Sequence, residues 1–491
     1  MKKYILSRIL RSIVSLFVLE SVVIAMIFTL IPKTKILDND QGYKKMTGDT
    51  KTVYRLKTYE KLGYLEYEGL TDMCAARAED YASCLVNDTD ENLRVVESFK
   101  NDGYVIEYLK KGKKAYAYHE YSVPELILHF WQKLINVDTP NSIQDENNPD
   151  LERKYYIGKD YNNVPALMCS GCTYKYQIYF GEGFPWIHQN MIRLDFGVSY
   201  PTKSGVSTME VINENQGSQI SVMQKFPTGI EQESPIRQHT CRYKPELDHL
   251  DQNKFTDHYA DCRTFFNAPS MVNTSYLFGI VSLIIAYVIA LPAGIAMARN
   301  KGKLGDKIGV VFINVVIAMP SLALIYFVRQ IGTKFGLPDK FPLLGFTNIK
   351  SYIVPMVILA ILSMPSLMTW VRRYMLDQSN ADYVKFARAK GLSQREIFSR
   401  HILKNAIIPI VNGIPASVIL CISGALITES AFAIPGMGKM LPDAINKMNN
   451  NMVLTLTFIF SALAIFAVLL GDILMTVVDP RIQLNSKGDD N

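Results

Sequence analysis

The 491 residues hold no GxxxxGK[ST] loop. Each Gly-Lys pair, at 112, 158, 302 and 438, is followed by Lys, Asp, Leu or Met, and none has a glycine five positions upstream to turn backbone amides onto a phosphate. ATP hydrolysis by that device is excluded. The seven histidines are scattered, and no Ser/His/Asp order, carboxylate pair or His cluster occurs, so catalysis has no support. Seven cysteines are too few for a disulfide-built mini-protein, and 22 prolines with 29 glycines make neither collagen nor low-complexity sequence. No repeat period suits a solenoid or propeller. At 48% hydrophobic the chain is too apolar for disorder, and at 20% charged it is too polar for a bare membrane bundle. Two unlike parts account for that average. The formal charge of +6 is split in the same way: residues 34–270 hold 27 Lys+Arg against 34 Asp+Glu, net −7, which leaves +13 elsewhere. Nucleic-acid binding needs a basic patch on the folded part, and here that part is acidic.

Long apolar runs are what the chain has in abundance. A bilayer core of about 30 Å takes about 20 apolar residues in a helix, and six stretches qualify: 12–31, 276–298, 308–328, 353–371, 406–427 and 453–478. Lys2, Lys3, Arg8 and Arg11 precede the first, as in a signal peptide. Its run is too long for one, and Ile31-Pro32-Lys33 is no small-residue cleavage site, so it reads as an uncleaved anchor. Lys and Arg gather on the cytoplasmic side of spans. The N-terminus, 299–307, 372–405 and the tail with Arg481 and Lys487 hold 18 of them, against six in the alternate short loops. Both termini are therefore expected in the cytoplasm of a multi-pass cell-membrane protein, with 34–270 outside. The predicted organisation is 1–33 as N-terminus and first span, 34–270 as an extracytoplasmic domain, 271–485 as a five-helix core with a cytoplasmic loop at 372–405, and 486–491 as a tail. In the outer domain, tyrosine-rich alternation at 54–67, 104–121 and 174–180 predicts strands and 124–137 a helix, hence a mixed α/β fold.

Six of the seven cysteines (Cys74, Cys84, Cys169, Cys172, Cys241, Cys262) fall in the outer segment, where an oxidising compartment favours disulfides. Proximity suggests 74 with 84, 169 with 172 and 241 with 262, among about fifteen possible pairings. Free thiols stay open, and Cys169-Ser-Gly-Cys172 also has the spacing of a redox pair or half a zinc site, though no second CxxC or spaced His pair accompanies it. Glu20 is an acid deep inside the first span; its readings are proton coupling, an interhelix or cavity-lining contact, and a shifted span boundary. Pro292, Pro320, Pro355, Pro365, Pro409 and Pro415 interrupt or border spans and are expected to kink helices around a cavity. Trp131 and Trp186, near Phe130, Phe184, Tyr179 and Tyr200, read as core aromatics or as interface anchors.

The cytoplasmic loop is the most structured in its spacing. Residues 381–390 favour a short helix, Gly391 ends it, Ser393 caps a second from Gln394, and Glu396 completes a capping box. Val384, Ala387 and Gly391, spaced i, i+3, i+7, share a face with two minimal side chains, on which a partner could approach the backbone closely. Lys385, Arg388, Lys390 and Arg395 flank it. Either this helix floats at the lipid headgroups or it docks a cytosolic protein. After the fifth span, Glu429 to Gly438 reads as a tight turn at an outer gate or as a plain connecting loop.

The run ARAKGLS at 387–393, followed by His401, Leu403, Asn405, Ala406 and Pro409, resembles the EAA loop of ABC importer permeases, in their dipeptide and oligopeptide branch. Thr428 and Glu429 through Phe432, Pro435, Gly436 and Gly438 are similar to that branch's segment after the fifth span. Asp479-Pro480-Arg481 resembles its ending and Arg372-Arg373 its fourth-span exit. Leu194-Asp195-Phe196-Gly197 with Ser199 resembles its GDLGxS segment, Leu194 replacing Gly. The match covers the first span, 185–211 and 270–485. Lys385 departs from the first acidic position of the EAA consensus, and 34–184 is an insertion that short permeases lack.

The resemblance implies a membrane all-α, six-helix ABC importer permease bundle with a large mixed α/β extracytoplasmic domain between the first and second spans. It implies ATPase coupling through Val384, Ala387, Arg388, Gly391, Leu392, His401 and Asn405, and a gate or pathway at Glu429, Phe432, Pro435, Gly436 and Gly438. The implied partners are a second homologous permease, two cytoplasmic ATPases using ATP and Mg, and an extracytoplasmic peptide-binding lipoprotein. Oligopeptides would be the substrate, with no cofactor and no enzymatic activity in this chain. Within the branch, a permease for nickel or opines is the nearest alternative. A membrane-anchored sensor or scaffold would need a cytoplasmic output domain, and the longest cytoplasmic stretch is about 34 residues. A proton-coupled carrier would need more membrane-embedded charge and an internal repeat.

Overall fold

The computed structural model describes residues 2–181 and 186–478. Phe184, Arg481, Lys487 and the Asp479-Pro480-Arg481 ending lie outside the described residues. Among the described residues, four helices are long and apolar enough to cross a membrane alone: Leu6–Leu30, Met271–Arg299, Lys350–Ser379 and Asn450–Ile473. The runs expected at 308–328 and 406–427 are not single straight helices. Leu304–Ala318 and Ser321–Lys334 meet at 109°, and Gln394–Ala406 meets Ile408–Ser423 at 41°. The first break has a covalent cause: Pro320 lacks an amide hydrogen and disfavours a helical residue before it, so Met319 is extended at ψ 128°. The other prolines behave differently. Helices continue through Pro292, Pro355, Pro365 and Pro415.

The Met271–Arg299 and Lys350–Ser379 helices pack along each other through Ala286, Ala290, Ala360, Met364 and Met368. A Cβ on Gly294 would sit 2.8 Å from the Cβ of Val371, so only glycine permits this approach of the two backbones. The first helix lies on Asn450–Val478, where Arg8 Nη2 is 2.5 Å from Asp472 Oδ2. Glu20 is wholly buried beside Thr457 in that interface, which places it between helices rather than at a span boundary.

The outer segment divides into two lobes. In the first, Leu65–Gly69, Ala115–Glu120 and Val105–Tyr108 form an antiparallel sheet in that order. Leu70–Arg77 and Asp90–Asn101 cover it through Met73, Val95, Phe99, Ala115 and Ala117. The strand expected over 54–67 is a helix, Gly48–Lys61, up to residue 61. Its inward residues Val53, Leu56 and Tyr59 recur every three, a helical period, and alternation begins only at Leu65.

The second lobe is assembled from two excursions. The first leaves through a stem in which Ile135–Val137 pairs antiparallel with Ile192–Leu194, and carries the sheet Lys154–Lys159, Pro165–Ser170, Tyr176–Phe180, Ile187–Gln189. The second, closed where Asn215 bridges Ser270, carries hairpins Val222–Lys225/Glu231–Ser234 and Ile236–Tyr243/Tyr259–Thr264. His239 Nε2, 2.7 Å from Asp160 Oδ2, and Tyr243 donating to Asp145 at 2.9 Å join the two.

Between the lobes the chain returns to the helices. Val123–Leu134 starts at a Ser122/Glu125 capping box and lies on the first helix, with Trp131 Nε1 donating to Ser21 Oγ at 3.1 Å. Asn449, Asn450 and Asn451 then clamp this region to the last helix, donating to Ser199 Oγ (2.8 Å), Tyr64 Oη (2.5 Å) and the Val198 carbonyl (3.0 Å).

Cys74–Cys84, Cys169–Cys172 and Cys241–Cys262 are disulfide-bonded, and Cys421 is free. Alkylation of the denatured, unreduced protein followed by mass spectrometry should therefore modify Cys421 alone. Label on any of the other six would remove the corresponding bond.

Candidate coupling surface and transmembrane cavity

At the end of the bundle beyond the 350–379 helix, Asp382–Ala389 forms a two-turn helix that Gly391 terminates at φ 77°, a conformation glycine adopts without Cβ conflict. Ser393 caps the next segment: Glu396 N donates to Ser393 Oγ at 3.3 Å, and Ser393 N donates back to Glu396 Oε2 at 3.1 Å. The Ser393 hydroxyl, donating to Glu396 Oε2 at 2.8 Å, and then the Ser393 amide hold the Glu396 carboxyl below its usual range, as Lys385 holds Asp382. A π-helical turn, Ile397–Ile402, then carries half-buried His401 towards Leu403–Ala406, which holds half-buried Asn405.

The shared face expected of Val384, Ala387 and Gly391 is not presented to a partner. Val384 and Ala387 are buried in a cluster with Ala298, Val371, Met375, Ile397 and Ile402, while Gly391 is exposed with no neighbour near its absent Cβ. The small residues let this helix approach its own bundle. What faces outward is Phe386, 69% exposed, with Leu392 and the cations Lys385, Arg388, Lys390 and Arg395. Phe386 was missed by sequence reasoning, although an aromatic on the charged side of an amphipathic helix is a readable sign of a contact. Close by, Arg372 makes a bidentate ion pair with buried Asp306 (2.7 and 2.9 Å), joining the 350–379 helix to the start of Leu304–Ala318.

Deeper in the bundle, a cavity of about 530 Å³ opens between the 271–299, 350–379 and 408–423 helices. Ser275, Ser282, Ser363, Ser366 and Ser417 give it hydroxyls, and Phe278, Tyr287 and Trp370 give it aromatic wall. Of the five gate candidates, Glu429 alone lines it; Phe432 is fully buried against Phe278 and Phe341, Gly436 and Gly438 stand against Glu429, and Pro435 is half-buried outside the cavity lining. Glu429 Oε1 accepts from Ser275 Oγ (2.7 Å) and Ala425 N (3.1 Å), and Oε2 from Lys439 N (3.0 Å). Ser275 Oγ in turn accepts from Met437 N at 2.7 Å. A Cβ on Gly436 would fall 2.5 Å from both Glu429 Oε1 and Ser275 Oγ, so the glycines are there to let the turn close on the carboxylate. Ser275 carried no motif of its own in the sequence.

Comparison with known proteins matches the model of the binding-protein-dependent transport system inner membrane component to residues 290–484. The chain is 39% identical over 496 residues to the oligopeptide transport system permease protein AmiC of Streptococcus pneumoniae, covering 99% of this chain and 100% of that one. The dipeptide transport system permease protein DppB of Lactococcus lactis is 29% identical over 238 residues, 47% of this chain and 77% of DppB. The oligopeptide transport system permease protein AppB of Bacillus subtilis is 30% identical over 221 residues, 42% of this chain and 67% of AppB. With a relative matched from end to end and the family's own region matched over the helical core, this chain belongs to the family of binding-protein-dependent transport system inner membrane components and is a membrane transport permease.

Proposed function

We propose that this chain is one transmembrane half of an ABC importer for oligopeptides. It crosses the membrane six times, each bent pair counting once, with both termini in the cytoplasm and residues 34–270 outside. A second homologous permease completes the cavity, two cytoplasmic ATPases hydrolyse Mg-ATP beneath it, and an extracytoplasmic lipoprotein delivers peptide above it. This chain itself binds no cofactor and catalyses no reaction. The observation that carries the reading is end-to-end similarity to a permease named for oligopeptide transport. The aromatic and basic outward face at 385–395 supports ATPase docking.

In mechanism, Val384 and Ala387 fix the 382–389 helix to the ends of the 271–299 and 350–379 helices. Closely packed interiors transmit displacement rather than absorb it, so movement of a docked ATPase becomes movement of the cavity walls. Hydroxyls in an otherwise apolar wall suit the amide backbone that all peptides share, which fits a broad choice of side chains.

Purification in gentle detergent from the native membrane should recover a second permease and two P-loop ATPases, with ATP hydrolysis raised by peptide-loaded binding protein. Recovery of this chain alone, under conditions that keep other transporters whole, would favour a membrane-anchored sensor or scaffold. Stimulation by nickel or an opine with its binding protein, and not by peptide, would reassign the solute.

A further inference from the structure

Among the described residues, the four-stranded sheet of the second lobe is covered on one face only. Its inner face packs Tyr156, Ala166, Met168, Tyr176 and Tyr179 together, with His239 stacked on Tyr179 at 4.3 Å. On the other face, Ile157 pairs across to Leu167, Leu167 to Ile178, and Phe180 to Ile187, a contiguous apolar row. Ile157 is 83% exposed, Ile187 58% and Phe180 53%. A soluble surface seldom leaves so many large apolar side chains together in water.

Two polar side chains of that same face show what it is continuous with. Tyr155 donates to the Asp138 carbonyl at 3.0 Å, and Gln189 exchanges two 2.8 Å bonds with the backbone of Ile192. Both partners belong to the stem, whose Ile135, Val137 and Ile192 are themselves exposed. The stem begins at Leu134, which is packed with Leu16 and Phe458, residues of the first and last apolar helices that lie inside their apolar lengths. The exposed face therefore runs from the sheet, across Tyr155 and Gln189, through the stem to a level within the hydrophobic length of those helices.

We propose that the outer face of this sheet and its stem lie in the outer leaflet of the membrane, as an interfacial surface beside the first span. The occupant is lipid because the surface continues into helices whose own exposed residues, Phe17, Val18 and Val22 among them, are apolar at the same depth. Lys159, next along the same strand face and exposed, has a stem long enough to bring its ammonium up to the headgroups. The inference rests on the reading of the 2–30 and 450–478 helices as spans and is independent of the peptide substrate.

The test places an environment-sensitive fluorophore on Ile157→Cys in a Cys421→Ser chain, reconstituted with its co-purifying subunits in phosphatidylcholine–phosphatidylglycerol vesicles. Glu97→Cys, on an exposed helix of the first lobe, serves as the water reference, and Val18→Cys reports on the span. Ile187→Cys repeats the measurement should the first variant fail to assemble. At Ile157, nitroxide carried on phosphatidylcholine should remove most of the emission and aqueous iodide little, the reverse of Glu97. Quenching by iodide alone places the face in water and overturns the proposal. Protection from both quenchers shows that a protein covers it and overturns it equally. Iodide access at Val18 would sink the span reading itself, an outcome distinct from either.

Discussion

Phe386→Ala should leave the chain folded in the membrane while its ATPase partners are lost on purification. Phe386 is the large apolar side chain on the outward face of the 382–389 helix, and it is ringed by cations. Aromatic anchors of this kind carry about 2 kcal/mol or more of an interface, roughly a 30-fold change in affinity. Its side chain is not in the buried cluster beneath the helix, so its removal costs this chain little stability. The checks are the yield of ATPase recovered with the chain and peptide uptake in cells. Val384→Asp is the contrasting variant. It puts a carboxylate into a fully buried apolar site, which destabilises by several kcal/mol, so the chain itself should fall in abundance. Wild-type uptake by Phe386→Ala would move the docking face off this helix.

Glu429→Ala should abolish uptake by loosening the turn that seats the outer end of the cavity. The substitution leaves Ser275 Oγ, Ala425 N and Lys439 N without their acceptor, and a buried donor left unpaired costs about 1–3 kcal/mol. Glu429→Gln keeps one oxygen in place but turns the other into a donor facing the Lys439 amide, so it should fall between wild type and Ala. Gly436→Ala should be as damaging as Glu429→Ala, because its Cβ meets the carboxylate at 2.5 Å and the buried turn has no room to yield. Thermal unfolding in detergent and uptake should give the order wild type, Gln, Ala for the Glu429 series. Equal stability of all three would show that the hydrogen-bond cluster contributes nothing.

How much of this was legible in sequence depended on the range of the interaction. Apolar length identified the membrane helices because lipid imposes it locally, and the capping box at Ser393 and Glu396 was readable because both partners lie within one turn. The 109° break at Pro320 was half readable: the proline was visible, but whether neighbours re-form the helix, as they do at Pro355 and Pro365, depends on packing. The spacing groups Val384, Ala387 and Gly391 on a face small enough for a partner, but Val384 and Ala387 pack against Val371 and Met375 of the same chain and Gly391 stands apart from them. Ser275 and Glu429 are 154 residues apart, and no local pattern announces their bond. The strand expected at 54–67 failed because tyrosines at mixed spacing satisfy a period of two as readily as one of three to four until the buried face is known.

The stem of the second lobe has one further consequence. Val137 and Ile192 face each other across a single ladder, so the 54 residues between them begin and end at the same point in space. Topologically that part is a pendant. A short turn joining the two strands would close the gap, leaving the order and connection of the helices unchanged. Asn215 and Ser270 close a second pendant in the same manner. A chain built this way can gain or shed its ornaments in evolution without rethreading its membrane helices.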